Sequence, residues 1–237
     1  MTGRQAGVTV VEALVSLLLG LGLVQASLAV GARVRVAHAE LLGRAEVLAS
    51  ARLTGALLRS ETGVALRGRD WELHDDALRL RAFRGTALVC PEGSGADTLD
   101  AAYVGYRAPD PTKDSVVVLY QDGSRVVRGL EGVGSGVAEC MGEALSRRTT
   151  LVLSESVPTG AVVARVFERG AYSVADAAFR YRRGAAGRQP LTPEVWDRSS
   201  GWVVEDGRVA VELLSAPDGT GTSPSRWHLS VAWSPRR

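Results

Sequence analysis

Apolar residues fall first in one long run and afterwards in alternation. The run covers residues 8–32, about 25 positions broken by Thr9, Glu12, Ser16, Gln25 and Ser27. At 1.5 Å per residue that length spans the hydrocarbon core of a bilayer. From Val34 the pattern becomes periodic. Val34, Ala37, Leu41, Ala45 and Leu48 recur at three- and four-residue steps, and Leu53 and Leu57 continue the stripe with a drift. No proline occurs before Ser60, and Ala, Leu, Arg and Glu, all good helix formers, dominate. Glu40 and Arg44 are spaced to pair on the solvent side. Gly63 after Thr62 is a stop signal. The pattern predicts one helix over residues 8–60, on the order of 80 Å long, with an apolar first half and an amphipathic second half. Gly31 or Gly43 would be the break if there were two.

Beyond Thr62 the period drops to two. Residues 78–83 (Leu-Arg-Leu-Arg-Ala-Phe) alternate strictly. Residues 115–120, the pair Asp122-Gly123, and residues 125–127 make a hairpin with a tight turn. Further strands are predicted at 86–90, 99–106, 149–153, 162–167, 177–182, 208–214 and 227–233. Gly, Pro and Ser mark loops at 109–114, 129–136, 184–193 and 217–224. No internal repeat interrupts this order. The expected class is α+β, a long N-terminal helix packed on an antiparallel sheet head.

Composition narrows the function. Hydrophobic residues make up 46% of the 237, enough to build a core. The formal net charge of +2 is too small to imply nucleic acid by itself. There is no Gly-x-Ser-x-Gly elbow, Walker loop or Cys-x-x-Cys motif. The glycine-rich segment 132–136 lacks dinucleotide spacing. His38, His74 and His228 are scattered, and His74-Asp75-Asp76 suits a solvated turn better than a metal site. No cofactor, metal site or catalytic group is expected. Two arginine groups stand out, Arg79, Arg81 and Arg84, and Arg180, Arg182, Arg183 and Arg188. Interleaved with Phe179 and Tyr181, the second could hold a nucleic-acid backbone and stack bases. In a strand, however, the aromatics share one face and Arg180 and Arg182 the other, so the aromatics are expected in the core.

Glu12 is the informative residue of the apolar run. A carboxylate inside a membrane segment is costly unless paired, and it marks either a functional site or the start of the span at headgroup level. Before the run stand seven residues with Arg4 as their positive charge, favouring a cytoplasmic N-terminus. Gly7-Val8-Thr9-Val10-Val11-Glu12 resembles the prepilin cleavage motif of type IV pilins and type II secretion pseudopilins. The departure is Val8, where that family usually has Phe. The resemblance implies cleavage between Gly7 and Val8 by a prepilin peptidase, and methylation of the new amine on Val8. It also implies that Glu12 sets subunit register by pairing with a neighbour's terminal ammonium. A desolvated pair of this kind fixes register more than it adds stability. A secretory signal is the alternative. Val30-Gly31-Ala32 and Ala37-His38-Ala39 look like small-residue cleavage sites, but the apolar run is too long and carries an acid at its start.

Segments 95–103, 179–198 and 203–209 loosely resemble the PilW-like and J-type minor subunits. The implied organisation is a leader at 1–7, a membrane segment at 8–32, an amphipathic half-helix at 33–60 and a β-rich head at 61–237. The implied role is a non-enzymatic minor pilin or pseudopilin, anchored once in the inner membrane with a periplasmic head. It would join the tip or initiation complex of a pilus or secretion pseudopilus, with other pilin-like subunits as partners. A DNA-binding subunit and a membrane-anchored periplasmic protein are the alternatives. In an oxidising compartment Cys90 and Cys140 could form a disulfide.

Overall fold

A computed structural model describes residues 9–90, 95–135, 147–205, 208–216 and 224–231. The chain divides into two compact units between Ala49 and Ser50. A single helix, α1 (Val10–Thr62), contributes to both. In the first unit its apolar side chains are exposed, Leu18 at 67% and Leu23 at 70% among them. This helix is long and apolar enough to cross a membrane once.

In the second unit the last turns of α1 bury Ser50, Ala51, Thr54, Gly55, Leu58 and Thr62. These repeat every three to four residues and form one face. The drifting stripe through Leu53 and Leu57 is not that face; Leu53 is 44% exposed. The reason is size. A face of Ser, Ala, Thr and Gly lets the helix backbone come close to its neighbours. A Cβ added at Gly55 would touch Leu229. The helix stops as expected, with the Gly63 amide donating to the Arg59 carbonyl at 2.9 Å.

Among the described residues, twelve strands follow. They are β1 (Trp71–His74), β2 (Ala77–Val89), β3 (Thr98–Gly105), β4 (Asp114–Tyr120), β5 (Arg125–Ser135) and β6 (Arg147–Leu153). Then come β7 (Ala161–Ala175), β8 (Ala178–Arg183), β9 (Arg188–Pro190), β10 (Gly201–Glu205), β11 (Arg208–Leu214) and β12 (Arg226–Ser230). All ladders are antiparallel. The first nine form one sheet in the order β1-β2-β3-β6-β5-β4-β7-β8-β9, and β2 also pairs with β7. That extra ladder closes β2, β3, β6, β5, β4 and β7 into a barrel. The rest of β2 and β7 continues beyond it as a sheet with β1, β8 and β9. The remaining three strands form a separate sheet, β10-β11-β12.

The barrel is filled by Val89, Leu99, Tyr103, Val116, Val118, Leu130, Leu151, Leu153 and Val166, among others. Each fully buried Val or Leu contributes roughly 1.5–3 kcal/mol of transfer free energy. A register shift between Phe83 and Gly85 lets β2 serve two cores. Before it the even positions Leu78, Leu80 and Ala82 are buried; after it the odd positions Ala87 and Val89 are. One extra residue reverses the two-residue period. The two predicted strands at 78–83 and 86–90 are therefore one bulged strand.

The predicted loop at 129–136 is largely strand, since β5 runs through Ser135. Its glycines fit against a neighbouring strand, where a Cβ at Gly132 would crowd Val152. The His74-Asp75-Asp76 turn is a tight hairpin turn joining β1 and β2, with Asp75 and Asp76 at φ 49° and 53°. Asp and Asn tolerate this left-handed conformation better than most residues.

Candidate functional site

The first turn of α1 is closed by a reciprocal pair of side chains. Thr9 precedes the helix; its hydroxyl accepts from the Glu12 amide at 3.2 Å. Glu12 reaches back, its Oε2 accepting from the Thr9 amide at 3.1 Å and from the Thr9 hydroxyl at 3.3 Å. This is a capping box, in which two orphan amides at a helix start are satisfied by each other's side chains. The carboxylate also sits at the positive end of the helix dipole. Glu12 thus has a local task beside the one implied by resemblance. The processing positions Gly7 and Val8 lie outside the described residues.

The head holds a second polar arrangement, built from residues far apart in the chain. Arg84, at the β2 bulge, donates to Glu61 Oε1 and to Glu168 Oε1, both at 2.8 Å. Glu168, on β7, also accepts from the Tyr181 hydroxyl at 2.7 Å and from Arg107 at 3.1 Å. Arg107 grips Asp114 with both terminal nitrogens, at 2.6 and 2.7 Å. The alternating chain Glu61–Arg84–Glu168–Arg107–Asp114 links the last turn of α1, the β2 bulge, β7 and the start of β4. The Asp114 carboxylate is completely shielded and Glu168 nearly so. Burial pushes Glu168 toward the neutral form. The hydrogen bonds from Tyr181 and Arg84, with the charges of Arg84 and Arg107, outweigh it and hold the carboxyl below its ordinary value. Burial likewise opposes the Arg84 charge, but its bonds to Glu61 and Glu168 raise its pKa further. Tyr181 is pushed up by burial and by donating to Glu168. Every acid in this chain is engaged by an arginine, so the arrangement offers no free base or nucleophile.

No family model, curated protein or solved structure matches this chain.

Cys90 is 2% exposed and disulfide-bonded; Cys140 lies outside the described residues. Phe179 is fully buried and stacks on Tyr172, with ring centroids 5.3 Å apart. Tyr181 tilts against the same Tyr172 at 4.9 Å. Arg180 and Arg182 alternate with these rings and lie on the opposite face of β8. The arginines and aromatics of this strand do not share a surface. His74 contacts Asp75 at 2.6 Å and is half exposed. His38 and His228 are exposed on α1 and β12. Among the described residues, no three His, Cys, Asp or Glu side chains are grouped to hold a metal.

Sequence reasoning missed the buried charge chain. Arg84 and Glu168 are 84 residues apart, and Arg107 and Glu168 are 61 apart. The one available clue was Arg84, which breaks the alternation of 78–83.

Proposed function

We propose that this chain is a structural minor subunit of a pilin-like filament, a minor pilin or pseudopilin of a type IV pilus or type II secretion pseudopilus. A prepilin peptidase cuts it between Gly7 and Val8. Helix α1 holds it in the inner membrane until assembly, and the head faces the periplasm, where Cys90 can pair with Cys140. Other pilin-like subunits are its partners, and it performs no catalysis of its own.

The observation that carries this reading is the first unit of α1. Its apolar side chains are exposed, and the same helix runs on into the α+β head. Gly20, Gly22, Gly31 and Gly43 support it, because nothing lies within 4 Å of where a Cβ would be. A glycine inside a helix costs about 1 kcal/mol relative to alanine, and packing among the described residues gives no return for it. Small residues of this kind let transmembrane helices approach one another closely.

Mass spectrometry of the mature N-terminus tests the proposal. The expected terminus is N-methylated Val8. A terminus at Arg33 or Glu40 would mean removal of a secretory signal and would overturn it.

A further inference from the structure

The sheet that extends beyond the barrel has two dissimilar faces. One buries Leu78, Leu80, Tyr172 and Phe179. The other carries arginines in rows set by the register. Along one row Glu72, Arg79, Ala171, Arg182 and Arg188 stand side by side across β1, β2, β7, β8 and β9. In the adjacent row Arg81 faces Arg169. Two direct cross-strand pairs, Arg81/Arg169 and Arg182/Arg188, are therefore like-charged, an arrangement that weakens a sheet.

Compensation is uneven. Arg81 is paired with Asp70 and Arg79 with Asp75, each at 3.2 Å. Arg169, Arg182 and Arg188 have no ion pair among the described residues. The face is open as well, with a cleft of about 830 Å³ between Arg69, Arg79, Arg81, Arg169 and Arg182 over the small floor residue Ala171.

We propose that this cleft docks an extended acidic segment of a protein partner, with carboxylates at alternate positions. Arg169 and Arg182 stand in successive rows of this face, about 6.7 Å apart along the strand direction. Alternate carboxylates on an extended peptide repeat at the same distance, and each guanidinium can take one in a two-point grip. Two features select a polypeptide over a nucleic acid. The rings of Tyr172, Phe179 and Tyr181 lie on the other face, and Phe167, which shares the arginine face, is fully buried beneath Arg81, so bases find no stacking platform here. The β1 side of the cleft carries the exposed Glu72, which repels a uniformly charged phosphate chain and can accept a hydrogen bond from a peptide amide. The proposal concerns the head alone and does not depend on the filament reading.

The test uses the full chain in non-ionic detergent and a fluorescent twelve-residue peptide alternating Glu and Ser. A Gln/Ser peptide and a single-stranded oligonucleotide of equal length serve as comparison probes. The Glu/Ser peptide should bind with an affinity that falls with salt. Binding should drop at least tenfold in the double variant Arg169→Ala/Arg182→Ala and stay unchanged in Arg208→Ala, an exposed site on β11. The double variant should unfold at the same temperature as the parent or higher, because like charges have been removed. Three results would each overturn the proposal. They are no binding of the acidic peptide at low salt, binding unaffected by the double variant, and tighter binding of the oligonucleotide through the same arginines.

Discussion

Glu12, in the apolar run of the sequence, and Glu168, buried in the head, are both carboxylates, and they are satisfied in opposite ways. Glu12 takes its hydrogen bonds from Thr9, three residues away. Glu168 takes its own from Arg84, Arg107 and Tyr181, brought together by the barrel, the bulge and the sheet beyond. The glycines divide along the same line. Those at 20 and 22 have open space around them, whereas a Cβ at Gly170 would collide with the Tyr181 ring. The Glu168 network draws on residues from across the head; the polar contacts of the first turn of α1 are local.

The contrast breaks most visibly at Glu168. Replacing it with Ala strips Arg84 and Arg107 of a shared partner inside the head. Removing one member of a buried charged network typically costs about 3–5 kcal/mol, so the unfolding free energy measured by chemical denaturation should fall by that amount. The same residue sets an acid limit. Its carboxyl is held below its ordinary value of 4.5 in the folded head. Its contribution is therefore complete above that value and is lost as pH falls through the lower folded value. The parent should lose stability across that acid range more steeply than Glu168→Gln does. Equal slopes would mean that Glu168 is not the group responsible.

A smaller effect is expected at Gly170. The alanine variant pushes the Tyr181 ring away and disturbs its bond to Glu168, at a cost of about 1–3 kcal/mol, the usual range for overpacking. Thermal unfolding followed by tyrosine fluorescence reads it.

The smallest effect on the isolated chain, and the sharpest for the comparison, is at Glu12. Glu12→Ala should lower the stability of the first helical turn by about 1 kcal/mol or less, the scale of a lost cap, and leave head unfolding unchanged. Glu12→Gln keeps an acceptor for the Thr9 amide and removes the charge. If the carboxylate pairs with a neighbouring subunit, both variants should fail to co-purify with partner pilins. If only the cap matters, the Gln variant should behave as the parent does.

The same division explains what could be read from the sequence. The apolar run, the unbroken helix, Gly63 as a stop and the hairpin at 122–123 depend on neighbours within a few positions, and each was legible. So was the two-face logic of β8, where alternation alone puts Phe179 and Tyr181 opposite Arg180 and Arg182. The barrel was not legible, because its closure rests on β2 pairing with β7 from Ala77↔Ser173 to Leu88↔Val163. The helix face was misplaced because the pattern favoured large residues, Leu53 and Leu57, while close packing used Ser50, Thr54 and Gly55. β5 was partly taken for a loop because glycine signals a turn unless a neighbouring side chain needs the room. The charge chain from Glu61 to Asp114 left no signature, since its members meet only after the strands are in place.

The contact between Glu61 and Arg84 also has a mechanical meaning. Tension drawn along α1 enters the head through its last turn, where Glu61 holds the β2 bulge. From there β2 passes the load sideways into β7 on one edge and β3 on the other, so many ladder bonds share it. Arg84 and Glu168 extend the same connection to Arg107 and the barrel mouth. A pull on the helix would thus pass from Glu61 and Arg84 into the β2–β7 ladder, the longest of the sheet.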